Sequence, residues 1–173
     1  MHTLDNTLED KVAIVYGAGS IGSAVAKAFA AAGARVAIGP CGRRSRIDIC
    51  FNLVSHGDVL GTPLIDMDVE DFVRPIDSIV RSTFLTSQAT ARHMAQRGDG
   101  VILIFGGEGE PMPDYWLGGT LDAFHAQETM CRQLACELAS KGARVITIVT
   151  GGIPETLGAD ADPSIEQGIV AAT

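Results

Sequence analysis

The chain has 173 residues, a formal net charge of −8, 46% hydrophobic and 20% charged residues, and 20 glycines. Its apolar content excludes an intrinsically disordered chain, and its length fits one domain with a core. An acidic balance without a basic patch excludes a typical nucleic-acid binder, and glycine without a G-X-Y period excludes collagen.

In chain order, Val-Ala-Ile-Val-Tyr at 12–16 reads as a buried strand, short, β-branched and bounded by glycine. The period then changes. Ile21, Ala24, Val25, Ala28, Phe29 and Ala32 fall on one predicted helix face, and Gly33 supplies the stop. Residues 35–38 form a second strand, which completes a short βαβ unit with parallel neighbours. Residues 39–47 are loop-like and basic, and 48–54 predict a third strand.

A long helix is expected over 69–97, with Phe72, Ile76, Ile79, Val80 and Phe84 near one face. Pro75 is expected to be tolerated because it lies close to the helix start. Asp66, Asp68, Glu70 and Asp71 read as a helix start rather than a metal cluster: Asp68 caps the helix, and Glu70 and Asp71 complement its dipole. A strand follows at 101–105, broken by Gly106-Gly107. A helix over 119–140 groups Phe124, Cys131, Leu134, Ala135 and Leu138, and a last strand spans 145–149. The tail 157–173 is expected to hold one short helix. The most apolar stretch, 12–38, is interrupted by Lys27, Arg35 and several glycines, so no membrane span is expected.

Strands alternating with helices predict an α/β fold, a Rossmann-like three-layer sandwich with a mainly parallel sheet of about five strands. It should be a single dinucleotide-binding domain over 1–173, with its core at 7–156. Four cysteines, Cys41, Cys50, Cys131 and Cys136, have no C-x-x-C spacing and are expected to be reduced, buried thiols in a cytoplasmic protein.

Gly17-Ala-Gly19-Ser20-Ile21-Gly22 is G-x-G-x-x-G, placed after a strand and opening a helix. Gly17 permits the tight turn, Gly19 lets a pyrophosphate reach the backbone, and Gly22 lets helix and strand pack closely. The N–H groups at Ser20 and Ile21 and the positive end of the helix then face the phosphates. The second strand ends in Gly39-Pro40-Cys41-Gly42-Arg43-Arg44, without the acid that reads a ribose 2′-hydroxyl. Arg43 and Arg44 suit a 2′-phosphate, so NADP is the expected cofactor and NAD the alternative.

Together these segments resemble the short-chain dehydrogenase/reductase family. Leu8 through Gly22 looks like its opening, although the family's glycine motif has one more residue. Asp48-Ile-Cys-Phe-Asn52 looks like the strand leading to its Asn-Asn-Ala-Gly motif. Residues 82–88, 100–105, 132–138 and 142–151 resemble its central helix, its fifth strand and the helix and strand that follow.

The resemblance implies an oxidoreductase acting on a small-molecule carbonyl/alcohol pair, and a homodimer or homotetramer built through helices 69–97 and 119–140. It also implies cofactor contacts from Asn52 and, after the last strand, from Gly151 and Ile153. The family's chemistry uses a tyrosine, a lysine four residues on, a serine and an asparagine. By position these fall on Thr120, Phe124, Gly107 and Ile79. Independently of any alignment, Lys11, Lys27 and Lys141 are the chain's lysines and Tyr16 and Tyr115 its tyrosines, so Y-x-x-x-K occurs nowhere.

Catalytic candidates are Tyr115, a phenol in a loop beside Trp116, and His56, just after a strand end. A phenol of pKa about 10 without a neighbouring cation is a poor proton carrier at neutral pH. The expectation is therefore an oxidoreductase relative with doubtful catalysis. The alternatives are a non-catalytic, dimerising dinucleotide binder and an incomplete fragment, since the family's strand between 39 and 48 and its final helix and strand are missing. Residues 39–47 must cross the first strand with almost no slack, so they are expected to be extended or poorly ordered.

Overall fold

The structure is a computed structural model and describes residues 6–39, 46–54, 57–109 and 116–153. Its elements are β1 (Val12–Tyr16), α1 (Ser20–Ala31), β2 (Arg35–Ile38), β3 (Ile49–Asn52), α2 (Val69–Arg97), β4 (Gly100–Gly107), α3 (Thr120–Ala139) and β5 (Ala143–Thr150). The five strands form one sheet in the order β2-β1-β3-β4-β5, and every pair is parallel. β1 is buried at all five residues, as a strand with neighbours on both sides and helices on both faces must be. The chain steps from β1 to β2 in one direction and from β3 onward in the other. The carboxyl ends of β1 and β3 therefore frame a topological switch point, as expected.

The larger core cluster joins Ile14, Ile47, Ile102, Ile104, Met94 and Leu138, beneath α2 and α3. On the opposite face Phe29 of α1 packs with Val15, Phe51 and Leu103, and Phe29 and Phe51 meet edge to face with centroids 6.5 Å apart. β5 is an edge strand with alternating outer exposure. Ile146 is 43% and Ile148 41% exposed, and among the described residues no strand pairs with its outer side.

Several expectations need correction. Ala24 and Ala28 are exposed, and the buried face of α1 is centred on Gly22 and Ala26. A run rich in alanine is apolar all round, so periodicity leaves the phase open. The close approach at Gly22 fixes it. On α2, Phe84 faces outward, and the buried stripe is Pro75, Ile79, Thr83, Ser87, Thr90, Ala91 and Met94. Pro75 is the seventh residue of that helix, beyond the first turn, and is buried. Asp68 stands at the N-cap position but makes no side-chain cap hydrogen bond.

Gly106 and Gly107 do not break β4; they continue it, in register with Val149 and Thr150. Cys136 is exposed, whereas Cys50 and Cys131 are buried. Cys41, the middle of the crossing at 40–45 and the tail lie outside the described residues.

An unanticipated clamp closes the amino end of the sheet. Asp48, only 3% exposed, accepts the Val12 N–H at 2.7 Å, Arg46 Nε at 2.9 Å and Arg97 at 2.9 Å. Arg97 also donates to the Ile47 carbonyl at 2.9 Å. Burial alone would raise the pKa of this carboxyl. The Val12 N–H and the two guanidinium groups outweigh that and hold it below the usual value.

Candidate functional site

The β1–α1 loop builds one half of a crevice above the carboxyl ends of the strands. Gly17 has φ +117°, a left-handed conformation, and a β-carbon there would overlap the Leu53 carbonyl oxygen. A β-carbon at Gly22 would overlap the Gly17 carbonyl oxygen in turn. Gly19 is different. Its backbone is extended (φ −68°, ψ −172°), and a β-carbon would meet nothing within 4 Å among the described residues.

So two glycines are demanded by the protein's own packing, and the third opens onto space. Gly19 is also the N-cap of α1, which has no side-chain cap hydrogen bond and no acid in its first turn. The N–H groups of Ser20 and Ile21 and the positive end of the helix thus face that space with no acidic side chain in the helix's own first turn. These residues fit a pyrophosphate.

The other half lies over β3, β4 and β5. Asn52 ends β3, is buried and donates from Nδ2 to Thr86 Oγ1 at 2.7 Å. Gly107 ends β4 beside Thr150 of β5. A β-carbon on Gly107 would stand 2.6 Å from Phe124 Cε2, so the aromatic ring already fills the space of a side chain there. Thr120, one turn before Phe124 in α3, donates from Oγ1 to Asp58 at 3.3 Å. Thr150 Oγ1 donates to the Gly152 carbonyl at 2.8 Å and accepts the Gly152 N–H at 3.1 Å. Ile79 is buried on the inner face of α2.

The structure thus brings Gly17, Gly19, Ser20, Ile21, Gly22, Asn52, Gly151 and Ile153 to the carboxyl side of the sheet. Arg43, Arg44, His56 and Tyr115 lie outside the described residues. Sequence reasoning missed the partners of the polar groups, Thr86 and Asp58, and the mutual fit of Gly107 and Phe124. Two glycines ending a strand and an aromatic where a cation was expected were the available signal for that fit.

Other nucleophilic or metal-binding chemistry has little support. Burial pushes the Cys131 thiol up to about 11, against a lowering hydrogen bond with Thr147, so it is not a thiolate at neutral pH. Among the described residues no three His, Cys, Asp or Glu side chains are grouped to hold a metal ion. Among the same residues, no helix is long and apolar enough to cross a membrane.

A doubly wound sheet with a glycine loop at its switch point defines a dinucleotide-binding class of fold. Comparison with known proteins narrows it. A family model described as enoyl-(acyl carrier protein) reductase matches residues 41–172. The inactive 2-(S)-hydroxypropyl-CoM dehydrogenase 2 of Xanthobacter autotrophicus is 29% identical over 175 residues, covering 94% of this chain and 72% of that protein.

A 7α-hydroxysteroid dehydrogenase, solved with NADH and 7-oxo glycochenodeoxycholic acid, superposes with a TM-score of 0.78 at 25% identity. The match covers 97% of this chain and 81% of that one. A metagenomic short-chain oxidoreductase in complex with NADP shares the fold with a TM-score of 0.65 at 20% identity, over 95% and 91% of the two chains. The chain belongs to the short-chain dehydrogenase/reductase family.

Proposed function

We propose that this protein binds a nicotinamide dinucleotide at the β1–α1 loop and performs carbonyl/alcohol redox chemistry weakly or not at all. The observation that carries the reading is the contrast between the two halves of the crevice. Around Gly19 there is an open, uncapped helix N-terminus. Around Gly107 the space of a side chain is filled by Phe124, and Thr120 and Ile79 stand where the family has its tyrosine and asparagine. The name of the Xanthobacter relative, an inactive dehydrogenase, supports the second part. Arg43 and Arg44 favour NADP(H) over NAD(H), and any substrate would be a small carbonyl compound or alcohol.

The same reading includes self-association through α2 and α3. These helices expose Phe84 and Leu85 beside a groove of about 330 Å³ lined in part by Ala91, Met130 and Leu134. It also includes a cytoplasmic location, resting on cysteines without disulfide spacing.

Calorimetric titration with NADPH and NADH tests the binding half. Gly19→Val is the matched control, because its backbone angles suit any residue and its side chain meets open space. Binding by the unmodified protein and a loss of about tenfold or more in the variant are expected, since a bulky group would block the pyrophosphate. No binding at millimolar ligand would overturn the reading. Strong turnover across a carbonyl panel, indifferent to changes at Tyr115 and His56, would overturn its catalytic half.

A further inference from the structure

We infer that a cavity beside the start of α3 is a binding site for a small organic cation, an ammonium group carried on an apolar body. The inference goes beyond the dinucleotide reading and does not depend on it.

The cavity has a volume of about 340 Å³ and is lined by the loop before α2, the segment after β4 and the first two turns of α3. Leu64, Leu117 and Leu121 give it apolar walls. Trp116, the chain's single tryptophan, also lines it and is 44% exposed. Its backbone is fixed there. Its φ is +37°, a conformation that non-glycine residues rarely adopt, and its carbonyl accepts the Gly61 N–H at 3.1 Å. Two residues on, a β-carbon at Gly118 would stand 2.9 Å from the Val59 carbonyl oxygen, so this loop is packed closely against 59–61.

The charged wall group is Asp122, exposed in the first turn of α3, and among the described residues no hydrogen bond or ion pair engages its carboxylate. His125, one turn on, is the other polar side chain of the wall. The positive end of α3 is equivalent to about half a charge, which one carboxylate exceeds. The sequence supplies no cation to compete for it nearby in the chain. Lys and Arg are absent from 52–73 and from 98–131, and this holds equally for 110–115, which lie outside the described residues. Arg74, the first cation after 73, is paired with Asp71.

Apolar walls bury the body of a ligand, and a few polar groups fix its orientation. Here the fixing groups are an indole, the aromatic side chain that attracts cations most strongly, and an unengaged carboxylate. Both favour an ammonium group, and the carboxylate repels an anion.

The test follows the emission of Trp116, which as the single tryptophan reports on this cavity, near neutral pH and without added cofactor. The probes are phenethylamine, phenethyl alcohol and hydrocinnamate, which share an apolar body and differ in charge. A saturable change with the amine is expected, with a dissociation constant about tenfold or more below those of the other two, and weaker binding in high salt. Asp122→Asn should bring the amine to the level of the alcohol, and Asp122→Glu should keep the preference. Equal binding of the three probes, a preference that survives in Asp122→Asn, or no saturable change with the amine up to about 10 mM would each overturn the inference. Because no cofactor takes part, failure of the amine leaves the dinucleotide reading intact, and failure of the dinucleotide leaves this site intact.

Discussion

Gly107 and Phe124 are one feature made by two residues. The ring occupies the volume that a side chain at 107 would need, so the two positions cannot be changed independently. Gly107→Ala should destabilise the protein by about 1–2 kcal/mol, the usual cost of overfilling a packed site. In a Phe124→Ala background that cost should largely vanish. Urea unfolding of the four members of the cycle measures the coupling, and additive effects would show that the ring simply turns aside.

The same contact bears on rebuilding the family's proton machinery. Thr120→Tyr with Phe124→Lys makes room for Gly107→Ser, whereas Gly107→Ser alone meets the ring. We expect the triple variant to exceed the double and every single variant in turnover of a carbonyl panel with NADPH, read by loss of reduced-cofactor absorbance. The absence of Y-x-x-x-K was legible in the sequence, because it depends only on which residues exist. That Phe124 fills the gap at Gly107 was not, because glycine in a strand is equally consistent with a break.

At the scale of elements, the positions of the helices and strands were legible, and their phases and ends less so. The boundaries of α2 follow from its acidic first turn and the Gly98 stop, where φ is +76°. Its buried face was not legible, because Thr83, Ser87 and Thr90 line it while Phe84 faces out. Periodicity arguments follow apolar residues, and here tight helix-to-sheet packing selected small polar ones.

The Asp48 clamp was also invisible, since one of its partners lies 49 residues away in Arg97. It ties the start of β3 to β1 and to the end of α2, where the chain re-enters the sheet. Removing the charge with Asp48→Asn should cost about 2–4 kcal/mol, because two guanidinium groups and a buried carboxyl share the network. Its pKa is lowered on folding. Its contribution is therefore fully present above the ordinary carboxylate pKa of about 3.9, and is lost as pH falls through the lower folded value. The urea midpoint should show no pH dependence from Asp48 between pH 5 and 7, where its contribution is constant, and the fall below about pH 4 should be shallower in Asp48→Asn.

For the molecule as a whole, the sheet order followed from two short stretches. The βαβ unit at the start places β2 beside β1 by the right-handed crossover rule. The family resemblance then places β3 on the other side, and the observed parallel pairing of β1 with β3 agrees. What the sequence could not show was which helix face remains for a partner, since that depends on which side of α2 the sheet uses. The outward Phe84, 49% exposed, and the neighbouring Leu134 mark that face. Charging it with Phe84→Glu and Leu134→Glu should convert the protein to monomers, read by sedimentation velocity, with an unchanged circular dichroism spectrum. A wild-type protein already monomeric at high micromolar concentration would remove the basis for self-association through these helices.

β5 has a consequence of a different kind. Eight residues of extended chain, whose outer side pairs with no strand among the described residues and exposes Ile146, Ile148 and Val149, carry no proline or lysine to discourage a newcomer. Such an edge is a template, and each added strand presents another. The protein should therefore be lost on warming by growth into insoluble material that binds thioflavin, faster at higher concentration, before its secondary structure melts. A single gatekeeper, Ile148→Lys, should raise the onset temperature of light scattering by several degrees while leaving the melting of the helices in place.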